Sequence, residues 1–359
     1  MISPAEFRHI GGEFELSATN LEFDIATNPV LPSFGLQYET WLDTGRSALA
    51  VIASHLARTA ANSTVWLPAY CCESMVAPFL RKHLPVRFYS VGARLDRIDA
   101  DPTPGDTLLF IHYFGFRNHT ALGRLEGFRS GGVRVIEDCV HAALSTGIGA
   151  HGDYALTSLR KLLPQPDGAL LSSREAIVVD VNTPDEAFVS ARIVGKLWRG
   201  AGIPAETFLP LLEQSERRLA DDSPRTMSWI SCQLLSHCDL PTVAAQRRAN
   251  FTDLWHGLTE IASHVGVEPL FPQLEIGEVP SGFPVIIKLG RRDLVRSHLA
   301  ERAIFCPIHW KLAHLTVGAF PEEHSLSASM LTLPIDQRYD AIDMKVMLDV
   351  LSTLCGDYL

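Results

Sequence analysis

Between residues 41 and 172, short runs of consecutive apolar residues alternate with segments whose apolar positions recur every three to four residues. "STVWLP" (63–68), "PVRFYSV" (85–91), "TLLFIHYFG" (107–115) and "GVRVIED" (132–138) have the length and the β-branched or aromatic content of strands. "DYALTSL" (153–159) and "GALLSS" (168–173) continue the series. "CESMVAPFLRKHL" (72–84) and "HTALGRLEGFRS" (119–130) carry helical periodicity, and "DTGRSALAVIASHLA" (43–57) opens a helix after a turn at Gly45. Fully apolar strands separated by helices predict an α/β fold: a mostly parallel sheet covered on both faces.

The pattern changes after residue 174. Residues 174–240 read as mostly helical, with turn signals at "NTPDE" and "DDSPRTMS". "TVAAQRRANFTDLWHGLTEIASHV" (242–265) predicts one long amphipathic helix. Beyond it, the strand-like "FPVIIKL" (283–289) mixes with the helical "RRDLVRSHLAERA" (291–303) and "DAIDMKVMLDVLSTL" (340–354). The expected organisation is a large α/β domain over 1–240, including an N-terminal segment 1–40, followed by a smaller α+β domain over 241–359.

Bulk properties narrow the functional classes. At 359 residues, 47% hydrophobic and 20% charged, the chain has a globular composition. A formal net charge of -10 gives it no electrostatic reason to seek nucleic acid or an anionic membrane. No apolar stretch approaches membrane-spanning length, and "MISPAEFRHIGGEFEL" lacks the basic start and apolar centre of a signal peptide. The "GGEF" within it is an isolated four-letter match. Seven cysteines without a CxxC pair or a zinc-like Cys/His spacing predict free thiols in a reducing cytoplasm, and no metal.

Three features could carry chemistry. In open α/β sheets ligands bind beyond the carboxyl ends of the strands. "VRVIED" ends in Glu137 and Asp138 at such an edge. Lys161, in "TSLRKLLPQPDG" (157–168), follows Asp138 by 23 residues with one strand between them, and so belongs at the same edge. The turn before the "GRSALA" helix offers free backbone N–H groups with Thr44 and Ser47 hydroxyls, which suits a phosphate, although Thr or Ser there is also an ordinary cap. A lysine, a carboxylate and a phosphate cradle on one edge are the three requirements of pyridoxal 5'-phosphate: covalent attachment, protonation of the ring nitrogen, and anchorage.

On "TGRSAL", "LPAYCCESMVAPF", "IHYFGF", "IEDCVHA", "GDYALTSLRKLLPQPDGALL", "QRRANF", "PIHW" and "SLSASMLTLPIDQRYDAIDM", in that order and spacing, the chain resembles the DegT/DnrJ/StrS-type aminotransferases. The resemblance implies a homodimeric fold-type I enzyme that uses pyridoxal phosphate to move an amino group from an amino acid, glutamate being the expected donor. The expected acceptor is a keto group of a nucleotide-linked sugar or a related biosynthetic intermediate. It makes Lys161 the Schiff-base lysine and Asp138 the pyridinium partner. It gives Gly45, Arg46, Ser47 and Ser158 to the phosphate, and puts His141 where the family commonly has a glutamine near the ring hydroxyl. Apart from the resemblance, His309-Trp310 in "PIHW" could line a substrate pocket from the small domain, although a buried Trp beside a polar residue is nearly as often core.

The chain departs from the family in four places. Ser158 stands only three residues before Lys161, where the family has more. The family's glycine pair is Gly168-Ala169. The aromatic ring expected to stack on the cofactor falls to Tyr70 or Tyr113. The asparagine-tyrosine-arginine segment that the family often extends to the neighbouring subunit's phosphate is missing from "SPRTMSWIS" (223–231), with Arg225 the available substitute. Two other readings stay open at this stage: a different reaction on the same cofactor, such as elimination or racemisation, and a non-catalytic scaffold that binds a sugar or a partner.

Overall fold

A computed structural model describes residues 8–23, 33–178, 180–221, 223–271, 273–288 and 290–357. Of the N-terminal segment expected at 1–40, residues 1–7 and 24–32 therefore lie outside the described residues. The chain begins with β1 (Ile10–Gly11), β2 (Tyr38–Leu42), α1 (Gly45–Thr59), β3 (Val65–Pro68), α2 (Glu73–Arg81), β4 (Val86–Tyr89) and β5 (Thr107–Ile111). Next come α3 (His119–Ser130), β6 (Arg134–Asp138), β7 (Tyr154–Leu156), β8 (Ala169–Ser173), α4 (Glu186–Gly200), α5 (Ala205–Arg217) and α6 (Trp229–Ser236). The remainder is α7 (Leu240–Val265), β9 (Val267–Pro269), β10 (Phe283–Ile287), α8 (Arg292–Ala300), β11 (Ile304–Phe305), α9 (Pro321–Ser329), β12 (Met330–Leu333) and α10 (Ala341–Asp357).

Seven strands form the main sheet in the order β2-β8-β7-β6-β5-β3-β4. Every pair from β4 through β7 is parallel, and β8 alone runs against its neighbours β7 and β2. All five residues of β5 and all three of β7 are buried, as expected of strands covered on both faces. Leu108, Val135 and Leu156 are fully covered. Each such aliphatic side chain contributes about 1.5–3 kcal/mol relative to exposure.

The sequence pattern finds these strands and the helices between them. It misses β2, whose Tyr38 and Glu39 are exposed, because an edge strand needs no continuous apolar run. It also overextends β5. The predicted strand over 107–115 stops at Ile111, where the chain folds into a short 3₁₀ turn over Tyr113–Gly115. Phe114 takes φ of 55° and Gly115 φ of 94°. A Cβ on Gly115 would collide with the Val279 carbonyl, so only glycine lets the segments approach so closely.

A second, antiparallel sheet has the order β12-β10-β9. α7 and α10 pack together beside it. One continuous core joins the two sheets, with Leu254, Phe283 and Leu351 in the same cluster as Leu67 and Ile136. The N-terminal segment is tied to distant parts of the chain, since β1 pairs with β11 and the Leu16 amide donates to the Lys196 carbonyl. No helix among the described residues is long and apolar enough to cross a membrane.

Candidate active site

The carboxyl ends of β5, β6 and β7 are aligned by register: Ile111 pairs with Asp138, and Asp138 with Leu156. The two acidic residues that end β6 point to opposite faces, as alternate strand residues must. Glu137 is fully buried and accepts from His112 Nε2 at 2.7 Å and from the amides of Gly149, His151 and Gly152. It clamps a loop and has no capacity left for a ligand. Asp138 accepts one hydrogen bond among the described residues, from the Val140 amide at 2.8 Å. Burial pushes its carboxyl up to about 7, against the opposing pull of that amide and of Lys161.

Beyond Leu156 the chain passes Thr157 and Ser158 and enters a 3₁₀ turn over Leu159–Lys161. Leu159, Leu162 and Leu163 are buried against Met227, Leu235 and Val243, which fixes the turn on both sides of Lys161. The Leu159 amide donates to the Gly168 carbonyl at 2.9 Å, and the Gly168 amide donates to the Asp43 carbonyl at 2.5 Å. Gly168, at φ of 119°, thus links the lysine turn to the entrance of α1. Lys161 is exposed by area, but that area faces a cavity of about 140 Å³ whose walls include Phe114, His141, Arg247, His309 and Thr332. Burial first, and the Arg160 guanidinium second, hold its ammonium below the ordinary lysine value.

Two imidazoles flank the lysine. His141 stacks on Trp310 at 5.5 Å with a 14° tilt, and its buried Nδ1 has no partner among the described residues. His309 meets His141 edge-on at 5.4 Å, and its Nδ1 shares a hydrogen bond of 2.9 Å with Thr332 Oγ1. Burial lowers the pKa of both, and Lys161 adds to the effect: His141 falls well below the usual value and His309 to about 3. Both rings are therefore neutral at pH 7 and can donate or accept.

The N-terminus of α1 lies on the same edge. Thr44 caps it, with Oγ1 accepting from the Ser47 amide at 3.2 Å. A Cβ on Gly45 would sit 3.5 Å from Ser158 Cβ, so the turn and Ser158 face each other. Arg46 reaches toward Glu216 at 3.9 Å. Arg225 lies beside Arg46 and Ser47 in the wall of a narrow cleft, within the same chain. Asp43 sits there too, its carboxyl raised to about 6 by burial, with Asp167 adding to the rise against the Ser47 hydroxyl.

Tyr70 and Tyr113 are placed differently from the expectation. Tyr70 is fully covered and is not part of the cavity wall. Its hydroxyl donates to the His309 carbonyl, and its ring packs against Tyr113 and Trp310. Tyr113 donates to the Tyr70 carbonyl at 2.6 Å. Both hold the loop that carries His309, and the aromatic rings that line the cavity are those of Phe14, Phe114, His141, Phe305 and His309. Sequence reasoning passed over Arg160, Cys72, Phe114 and Arg247. Arg160 adjoins Lys161 and lowers its pKa, whereas Cys72 acts in the opposite direction. Arg247 is fully buried and ties α7 to the Leu162 carbonyl at 3.0 Å.

No family model and no curated protein matches the chain by sequence. Solved structures do match. A putative sugar aminotransferase of Streptococcus pneumoniae in its PLP form superposes with a TM-score of 0.68 at 13% identity, covering 98% of this chain and 100% of that one. The chain has the fold of the sugar aminotransferases. A Helicobacter pylori aminotransferase involved in pseudoaminic acid biosynthesis matches it at 0.67 and 12%, over 98% of this chain and 100% of that one. A DegT/DnrJ/EryC1/StrS aminotransferase of Brucella abortus matches at 0.61 and 15%, over 90% and 87%.

Proposed function

We propose that this chain is a pyridoxal-phosphate-dependent aminotransferase of the DegT/DnrJ/StrS kind, transferring an amino group from an amino acid to a keto group. The observation that supports it most is the convergence of Lys161, Asp138, the α1 turn and Ser158 on one sheet edge. A non-catalytic scaffold has no need for a depressed lysine beside a carboxylate held at about 7. The residues also fit the cofactor electrostatically. Asp138, buried with one hydrogen bond, has no ion-pair partner among the described residues, and a protonated ring nitrogen would supply one.

When bound, the cofactor contributes an aldehyde that captures amines and a ring that draws electrons from the carbon being deprotonated. The chain does the rest. Asp138 holds a proton at the ring nitrogen. Lys161 Nζ, its pKa lowered, would exchange a proton with the substrate carbon. His141 Nδ1, which has no partner among the described residues, is a hydrogen-bond donor or acceptor for the ring hydroxyl. Gly45, Arg46, Ser47 and Ser158 receive the phosphate, with the helix N-terminus facing the charge. His309, with Thr332 fixing its ring, faces the acceptor from the cavity lining beside His141. Glutamate as donor and a nucleotide-linked keto sugar as acceptor complete the reading, in a cytoplasmic homodimer.

The test is to load the purified protein with pyridoxal phosphate, dialyse, reduce with borohydride, and map the modified peptide by mass. A cofactor adduct on Lys161, with a visible absorption band that bleaches on adding an amino donor, is expected. A colourless, unmodified protein would sink the proposal and turn the search to sugar or protein ligands.

A further inference from the structure

An ion cluster lies next to the α1 turn. Glu216, on α5, accepts Arg160 Nη2 and Arg192 Nη1 on one oxygen, each at 2.8 Å, while Arg46 approaches the other oxygen at 3.9 Å. Arg192 also binds Glu13 at 2.9 Å, and Lys196 reaches the same Glu13 oxygen at 3.4 Å. Four cations thus share two carboxylates, leaving an excess of positive charge beside Ser158 and Gly45. Arg160 is the member closest in sequence to both Ser158 and Lys161. Its guanidinium also lies over the Phe188 ring at 5.6 Å.

Arg160 is not satisfied by this arrangement. Its Nε and Nη1 are buried without a hydrogen-bond partner among the described residues. Two orphaned donors on a buried guanidinium are costly unless a ligand supplies acceptors. A planar fork of N–H groups suits a phosphate, which offers oxygens for two parallel bonds.

We propose that Arg160 is a phosphate-binding residue of the cofactor site, supplied from within the chain, with Glu216 orienting its guanidinium. The proposal rests on the cofactor reading above. It makes the phosphate end of the site independent of a neighbouring subunit's arginine. Arg192, paired with both Glu13 and Glu216, and Lys196, paired with Glu13, serve as positioning residues for that carboxylate.

The two ideas separate in one binding experiment on the full chain, with pyridoxal phosphate, pyridoxal and inorganic phosphate as probes. In the wild type, pyridoxal phosphate should bind about 100-fold more tightly than pyridoxal, and inorganic phosphate should compete with the phosphorylated form. In Arg160→Gln, affinity for pyridoxal phosphate should fall by about 30-fold, that for pyridoxal should stay within about 2-fold, and phosphate competition should weaken. Arg160→Lys keeps the charge and should recover part of the preference. It also serves as the informative variant if Arg160→Gln does not fold. An unchanged ratio of the two affinities in a folded Arg160 variant overturns the assignment while leaving the cofactor reading intact. A wild type that binds neither aldehyde overturns both.

Discussion

Two clusters of ionisable groups lie a few residues apart and are built in opposite ways. Around Lys161, packing strips charge: Asp138 is raised to about 7, Lys161 is lowered, and His309 falls to about 3. Around Glu216, paired cations enforce charge: Glu13 is held down at about 2, where its two cation partners outweigh burial, and Glu216 is also lowered. Burial is the largest single influence on all five groups, so depth in the protein does not distinguish them. What differs is the presence of counter-charges within hydrogen-bond reach. Groups that must exchange protons sit where charge is marginal. Groups that must hold a permanently charged phosphate sit where it is locked.

The sharpest way to break this contrast is Lys161→Ala. It removes the one nucleophilic amine at the sheet edge, and amino transfer should fall by about 10⁴-fold or more, together with the borohydride-trapped adduct. Residual turnover near the wild-type rate would end the mechanism.

Asp138→Asn should lower the half-reaction rate by about 10²–10³-fold, read from bleaching of the cofactor band. Its stability effect has the opposite sign. Because the folded value near 7 lies above the ordinary carboxylate value of 3.8, stability is full below that value and drains away as pH rises through 7. The cofactor-free Asn variant should therefore be more stable than wild type at pH 8, by about 1–3 kcal/mol, and equal to it near pH 3. Denaturant melts at the two pH values decide this. Equal stability at pH 8 would mean that the carboxylate is well solvated.

Glu13→Gln probes the locked cluster. Its depressed value means the stabilisation is present above the ordinary 4.5 and is lost as pH falls toward 2. Glu13 keeps 37% of its side chain exposed, so solvent screening reduces the effect to about 1–2 kcal/mol at pH 7. The variant and the wild type should converge at pH 2.

Tyr70→Phe should do least. The lost hydroxyl leaves the His309 carbonyl without that donor, costing about 1 kcal/mol. Cofactor affinity should change by no more than about 3-fold, because the ring is sealed away from the cavity. A large loss of affinity would put Tyr70 on the cofactor after all.

The two clusters also differ in how far the sequence reveals them. Lys161 and Asp138 are legible because each ends an apolar run, and strand order in a parallel sheet brings both to one edge. Glu137 shows the limit of that logic: it shares the run with Asp138 but points to the other face, into a clamp built by His112 and loop amides. The locked cluster is illegible locally. Glu13 lies in the segment after β1, Arg192 and Lys196 on α4 and Glu216 on α5, and only tertiary packing joins them to Arg160. His309 stands out beside Trp310 in "PIHW", but its contact with His141 spans 168 residues and no periodicity encodes it.

The reversal of β8 has a consequence for how this active site can change over generations. A parallel neighbour would oblige the chain to travel back across the sheet after Lys161, through a crossover of fixed handedness and minimum length. An antiparallel neighbour asks only that residues 157–168 turn around. Such a hairpin tolerates insertions and deletions, because the strands on either side keep their register whatever its length. The short interval between Ser158 and Lys161 is then an affordable variation, and the same tolerance lets Arg160 arise beside the lysine without disturbing the sheet that presents it.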